Sequence, residues 1–150
     1  MAKFRFRLAT LLRLREATRD QRRAELAEAY RVDEMLQEQL REVDGAFGAL
    51  RDACRKAVGP GPVDIDGLLV AQRYELSLKA RQRQIVEQRA AVAGEIERRR
   101  EALVAANREV RVLENLRDKQ AQRHRQEENR REIKFLDEVA QQRAVREVTA

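Results

Sequence analysis

Few residues in this chain of 150 could carry covalent or metal chemistry. There is one histidine, His124, one thiol, Cys54, and one serine, Ser77. A nucleophile is activated by a base within hydrogen-bond reach, and these three stand far apart in sequence. His124, Glu127 and Glu128 share one face of a helix and could touch a metal ion, but no second histidine completes a site. Gly59 and Gly61 alternate with Pro60 and Pro62 and lack a following Lys-Ser/Thr, so no phosphate-cradling loop is present. The residue types therefore assign no catalytic residue, metal, cofactor or small-molecule substrate, and the chain reads as non-enzymatic.

Charge is the stronger signal. Lys and Arg number 32 against 26 Asp and Glu. Residues 1–23 carry eight basic side chains (Lys3, Arg5, Arg7, Arg13, Arg15, Arg19, Arg22, Arg23) against Glu16 and Asp20, a surplus equal to the whole net charge of +6. Such a pole attracts phosphate or acidic protein surfaces. No nucleic-acid reader motif accompanies it, so nucleic acid is disfavoured. Membrane-surface binding would use Phe4, Phe6, Leu8, Leu11 and Leu12, but those leucines open the coiled-coil seam. An acidic ring or groove on another protein fits best.

The elements that hold these residues are helical. With 39% charged and 4% aromatic residues, no Trp and only two prolines, the composition is that of long helices. An all-β or α/β fold would need turn residues every 8–12 positions. The single strong break is Gly59-Pro60-Gly61-Pro62, after which Asp64 or Asp66 can cap a new helix.

Stepping by three and four from Leu8 to Ala57 meets eleven apolar residues in fifteen positions, with Arg15, Arg19, Arg22 and Asp33 as exceptions. The same stepping from Leu68 meets Ala71, Leu78, Ile85, Val92, Ile96, Leu103, Ala106, Val110 and Leu113, interrupted by Glu75, Gln82, Arg89 and Arg99. This 3.5-residue repeat is a coiled-coil seam. A short connection makes the two helices antiparallel, with residue i opposite about residue 123 − i.

The expected architecture is all-α: one coiled-coil domain over 1–150, an antiparallel hairpin of helices at about 5–58 and 66–147, a turn at about 59–65, and a C-terminal helical overhang. At ~1.5 Å per residue the arms would measure roughly 75 and 120 Å. The overhang, about 117–148, has no partner in this scheme, and its apolar stripe of Ile133, Leu136, Val139 and Ala140 calls for an external one. Leu69 and Leu76 project away from the seam as a docking stripe, and Tyr74 flanks the seam. Cys54 sits on the seam as a small buried hydrophobe. Gly45 and Gly48 mark a weak or close-packed stretch. No run is apolar enough for a membrane span or signal, which reads as a soluble cytoplasmic protein.

The opening Phe4-Arg5-Phe6-Arg7-Leu8, with Leu11-Leu12-Arg13-Leu14-Arg15-Glu16, and the close at Glu132, Lys134, Leu136-Asp137-Glu138 and Ala140 resemble the flagellar export protein FliJ family. The length, the break near the middle and the two arms match as well. The resemblance implies a stalk component of the flagellar type III export apparatus, cytoplasmic and peripheral to the inner membrane. It also implies three partners: the hexameric export ATPase, which such proteins promote, the export gate protein FlhA, and export chaperones. Gate-contacting residues would map to Tyr74 and Leu78, with Leu69 and Leu76 beside them. The basic pole and the overhang together nominate Arg5, Arg7, Arg13, Arg15, Ile133 and Leu136 for the ATPase. The competing reading is a basic coiled-coil adaptor or scaffold, associated with nucleic acid and without a role in export.

Overall fold

Between residues 9 and 57 Ala, Leu, Glu, Arg and Gln dominate, all strong helix formers, and the stretch after Pro62 repeats that composition. The computed structural model describes residues 3–149 and contains two helices, α1 (Ala9–Ala57) and α2 (Ile65–Thr149), of 49 and 85 residues. The described residues contain no strand.

α1 starts at Ala9 rather than near residue 5. Lys3, Arg5 and Arg7 would put positive charge on the positive end of the helix dipole, and the first turn holds no acidic residue to offset it. The helix opens through the amide of Ala9 donating to the Phe6 carbonyl (3.3 Å) and that of Leu12 to Leu8 (2.9 Å). At its other end Arg55 and Lys56 complement the dipole, and the last bonds tighten onto Cys54 and Lys56.

The connection turns at Gly61, whose φ of +146° is a conformation that side chains disfavour. Of the two candidate caps, Asp64 performs the role: its Oδ1 accepts from the Gly67 amide at 3.1 Å. A Cβ on Gly67 would lie 2.5 Å from Asp64 Oδ2, so glycine there lets the carboxylate fold over the helix end. Asp66 instead supplies negative charge to the first turn.

The chain forms two compact units: Gln21–Leu103, the elbow unit, and Met1–Asp20 with Val104–Ala150, the terminal unit. In the elbow unit Leu36, Val43, Leu78 and Ile85 form a buried cluster, with Leu40, Phe47, Leu50 and Val92 half-buried around it. Ala29 is buried in the same unit, and Leu12, Ala106 and Val110 are buried in the terminal unit. All eight buried side chains among the described residues lie on the two seams of the sequence.

Five of the eight polar interruptions of the seam are paired across it, while Arg19, Arg22 and Glu75 pair along their own helices with Asp20, Glu25 and Lys79. In the elbow unit Asp33 accepts two bonds from the Arg89 guanidinium (3.0 and 3.4 Å), Gln82 donates to Asp44 Oδ1 (3.4 Å), and Arg99 donates to the carbonyl of Glu25. In the terminal unit Arg15 pairs with Glu109 at 2.8 Å. Asp33–Arg89, Glu25–Arg99 and Arg15–Glu109 each fall within about one position of the expected antiparallel register.

Two expectations need correction. Nothing lies within 4 Å of a Cβ built at Gly45 or Gly48, so these glycines serve no close packing. The overhang also starts later than residue 117. Ahead of α1, Phe4 and Phe6 are half-buried while Lys3, Arg5 and Arg7 are exposed, the period-two alternation of extended chain. The Phe4 ring lies 5.8 Å from that of His124. On α2, Arg117, Ala121, His124 and Glu128 are half-buried among exposed neighbours. Extended chain advances ~3.3 Å per residue against ~1.5 Å for helix, so this short strap reaches much further along α2 than the same residues coiled. From residue 129 to 149 every residue is exposed except Val139, which is half-buried.

Candidate functional site

The residues singled out for chemistry sit in ordinary surroundings. His124 stacks at a tilt of 37° against Phe4 in the terminal unit. Cys54, in the elbow unit, is half-buried rather than buried and borders an open cleft of about 290 Å³ with Phe47, Leu50, Leu68 and Ala71. Among the described residues no group of three His, Cys, Asp or Glu is placed to hold a metal ion. No described helix is long and apolar enough to cross a membrane.

What the structure offers is surface. The terminal unit holds 17 basic residues against 11 acidic ones, a surplus of six, whereas the elbow unit balances 15 against 15. The entire net charge thus belongs to one unit. Arg5, Arg7 and Arg13 are exposed and have no ion-pair partner among the described residues. Arg15 is half-buried and engaged with Glu109. The aromatics that interleave the basic run, Phe4 and Phe6, are half-buried, and Phe4 stacks on His124 rather than offering both faces to a nucleobase.

Ile133 and Leu136 are also in the terminal unit, 58% and 57% exposed. Beside them Phe135 is 63% exposed, a large aromatic that the stripe of Ile133, Leu136, Val139 and Ala140 passed over. Its signal was readable: it stands seven residues after Glu128 and fourteen after Ala121, on the face of α2 that meets α1 and the strap. At 100° per residue Ile133 points roughly 160° away from that face.

In the elbow unit the second set divides. Leu69, Tyr74 and Leu76 are 51%, 48% and 61% exposed, whereas Leu78 is 6% exposed and belongs to the core. Leu78 packs α2 against α1, Tyr74 lies beside that seam, and Leu69 and Leu76 lie on the opposite side of the helix. Val70 and Ile65 extend the exposed apolar surface toward the turn.

Among the described residues, electrostatic perturbation falls on three charged groups, Arg89, Arg100 and Glu95. Hydrogen bonding to Asp33, aided by its charge, raises the Arg89 guanidinium above its ordinary value. The hydroxyl of Tyr30 accepts from Arg100 at 2.6 Å and raises that guanidinium. Hydrogen bonds from Arg98 and then Arg99 hold the Glu95 carboxyl below its ordinary value. Each shift reinforces the charged state normal at neutral pH, which is the signature of structural pairing rather than of a proton-transfer group.

Residues 4–149 match the family model described as the flagellar FliJ protein. No curated protein and no solved structure gives a significant match. The match spans essentially the whole chain, both helices and the strap included, and so the chain belongs to the FliJ family, related to flagellar export.

Proposed function

We propose that this protein is a stalk component of the flagellar export apparatus, whose terminal unit engages the hexameric export ATPase and promotes its activity. The observation that carries the reading is the confinement of all net positive charge to the unit that also bears the partnerless stretch of α2. Arg5, Arg7, Arg13 and Arg15 would meet acidic groups on the ATPase, while Ile133 and Leu136 would enter its apolar contacts. Membership of the FliJ family supports the same assignment.

A second surface in the elbow unit, Leu69, Tyr74 and Leu76 backed by Leu78, would contact the export gate protein FlhA. Membership of the family supports export chaperones as further partners, and a gate contact would give peripheral association with the inner-membrane apparatus.

Co-purification with the export ATPase tests the reading. Binding is expected at low salt and should weaken as ionic strength rises, because exposed charge attraction is screened beyond ~10 Å at 0.1 M. Salt-sensitive binding to duplex DNA with none to the ATPase would support the adaptor reading instead.

A further inference from the structure

α2 continues for about twenty residues past Glu128, yet its seam face does not become uniformly polar. Continuing the seam in steps of four and three places Glu128, Glu132, Phe135, Val139, Gln142 and Arg146 along that face. We infer that this face receives the same face of a second copy of this chain, running antiparallel about a two-fold axis at residue 137.

The register carries the inference. In an antiparallel pair centred on residue 137, each position n before the centre faces the position n after it on the other chain. Phe135 then faces Val139, Glu132 faces Gln142, and Glu128 faces Arg146, and symmetry repeats all three layers. Aromatic meets aliphatic at the middle, amide meets carboxylate next, and opposite charges close both ends. Sliding the pair by one heptad sets Phe135 against Glu132 or against Arg146. Parallel pairing stacks Glu128 on Glu128 and Arg146 on Arg146. Only one arrangement satisfies every layer, as for a coiled coil whose polar seam residues specify register.

Local geometry agrees. Glu128 reaches its own-chain partner Arg131 only at 3.8 Å, and the Arg146 guanidinium has no partner among the described residues. Phe135 is exposed by 63%, an unusual state for a large aromatic on a seam face. On one flank Leu136 approaches its own copy. On the other Glu138 does so too, the one like-charge contact of the pairing.

Sedimentation equilibrium of the full chain over a range of concentrations is the direct test. A reversible monomer–dimer equilibrium is expected. Phe135→Asp should abolish it, Glu128→Arg should raise the dissociation constant about tenfold or more because the reversal acts at both ends, and Glu128→Arg with Arg146→Glu should restore it. Glu138→Gln should tighten it. In a Cys54→Ser background treated with a mild two-electron thiol oxidant, Leu136→Cys should form a disulfide with its own copy and Ile133→Cys, on the outer face, should not. A chain that stays monomeric at every concentration, a double swap that fails to restore pairing, or equal cross-linking at 133 and 136 would overturn the inference.

Discussion

Asp33 and Arg89 are the sharpest test at the scale of single residues. Both stand where the heptad calls for apolar side chains, and each is half-buried against the other. An ion pair taken partly out of water is costly to break because the survivor keeps its desolvation penalty. Asp33→Arg and Arg89→Asp should each lower the melting temperature, and the double swap should recover most of the loss. If the swap were no better than the single changes, the pair would not be fixing register. Acid sensitivity belongs to this scale too. Glu95 has its folded pKa depressed below 4.5 by Arg98 and Arg99, so its contribution is fully present above that value and is lost as pH falls through the lower folded value. Glu95→Gln should therefore flatten part of the decline of the melting temperature in acid, while changing little at neutral pH beyond the loss of the ion pairs themselves.

At the scale of elements, the glycines separate helix propensity from backbone necessity. Gly45 and Gly48 are helical with open space at Cβ, so alanine at either should stabilise α1 by up to ~1 kcal/mol. Gly61→Ala should destabilise, because its φ of +146° is disfavoured for any residue with a side chain. Asp64→Ala should cost about 1 kcal/mol through the lost cap. Chemical denaturation of the four variants reads all of these; a destabilised Gly45→Ala together with a neutral Gly61→Ala would contradict the structure of α1 and the turn. In the elbow core, Ile85→Ala should cost about 2–4 kcal/mol.

These elements also mark what could be read from the sequence. Both seams were legible because every buried side chain recurs at helical spacing, and the turn was legible because Gly59 to Pro62 admit nothing else. The strap was not, because Phe6 and Leu8 fall inside the expected helix of about 5–58 and Phe4 lies just ahead of it. The exposed Lys3, Arg5 and Arg7 between them carry the period-two signal, overridden there by the longer pattern. Leu78 was nominated for docking although its own place on the seam marked it for the core. Phe135 lies off the stripe of Ile133 and Leu136 and belongs to the face that continues from Ala121 and Glu128.

Across the whole molecule charge is divided unequally: one unit carries a surplus of six and the other none. A uniformly solvated surface has no need of that asymmetry, whereas a protein that offers one unit to an acidic partner does. The exposed Leu69, Tyr74 and Leu76 belong to the neutral unit, so the electrostatic and apolar surfaces should be separable by mutation. Leu69→Ser with Leu76→Ser is expected to weaken capture by the gate protein without altering ATPase stimulation, and loss of both activities together would merge the two surfaces into one. The most direct measurement is the hydrolysis rate of the purified export ATPase with and without this protein. The wild-type chain should raise the rate, and Arg5→Glu, Arg7→Glu and Arg13→Glu in one chain should abolish that stimulation while circular dichroism stays unchanged; full stimulation by the reversed chain would contradict the account.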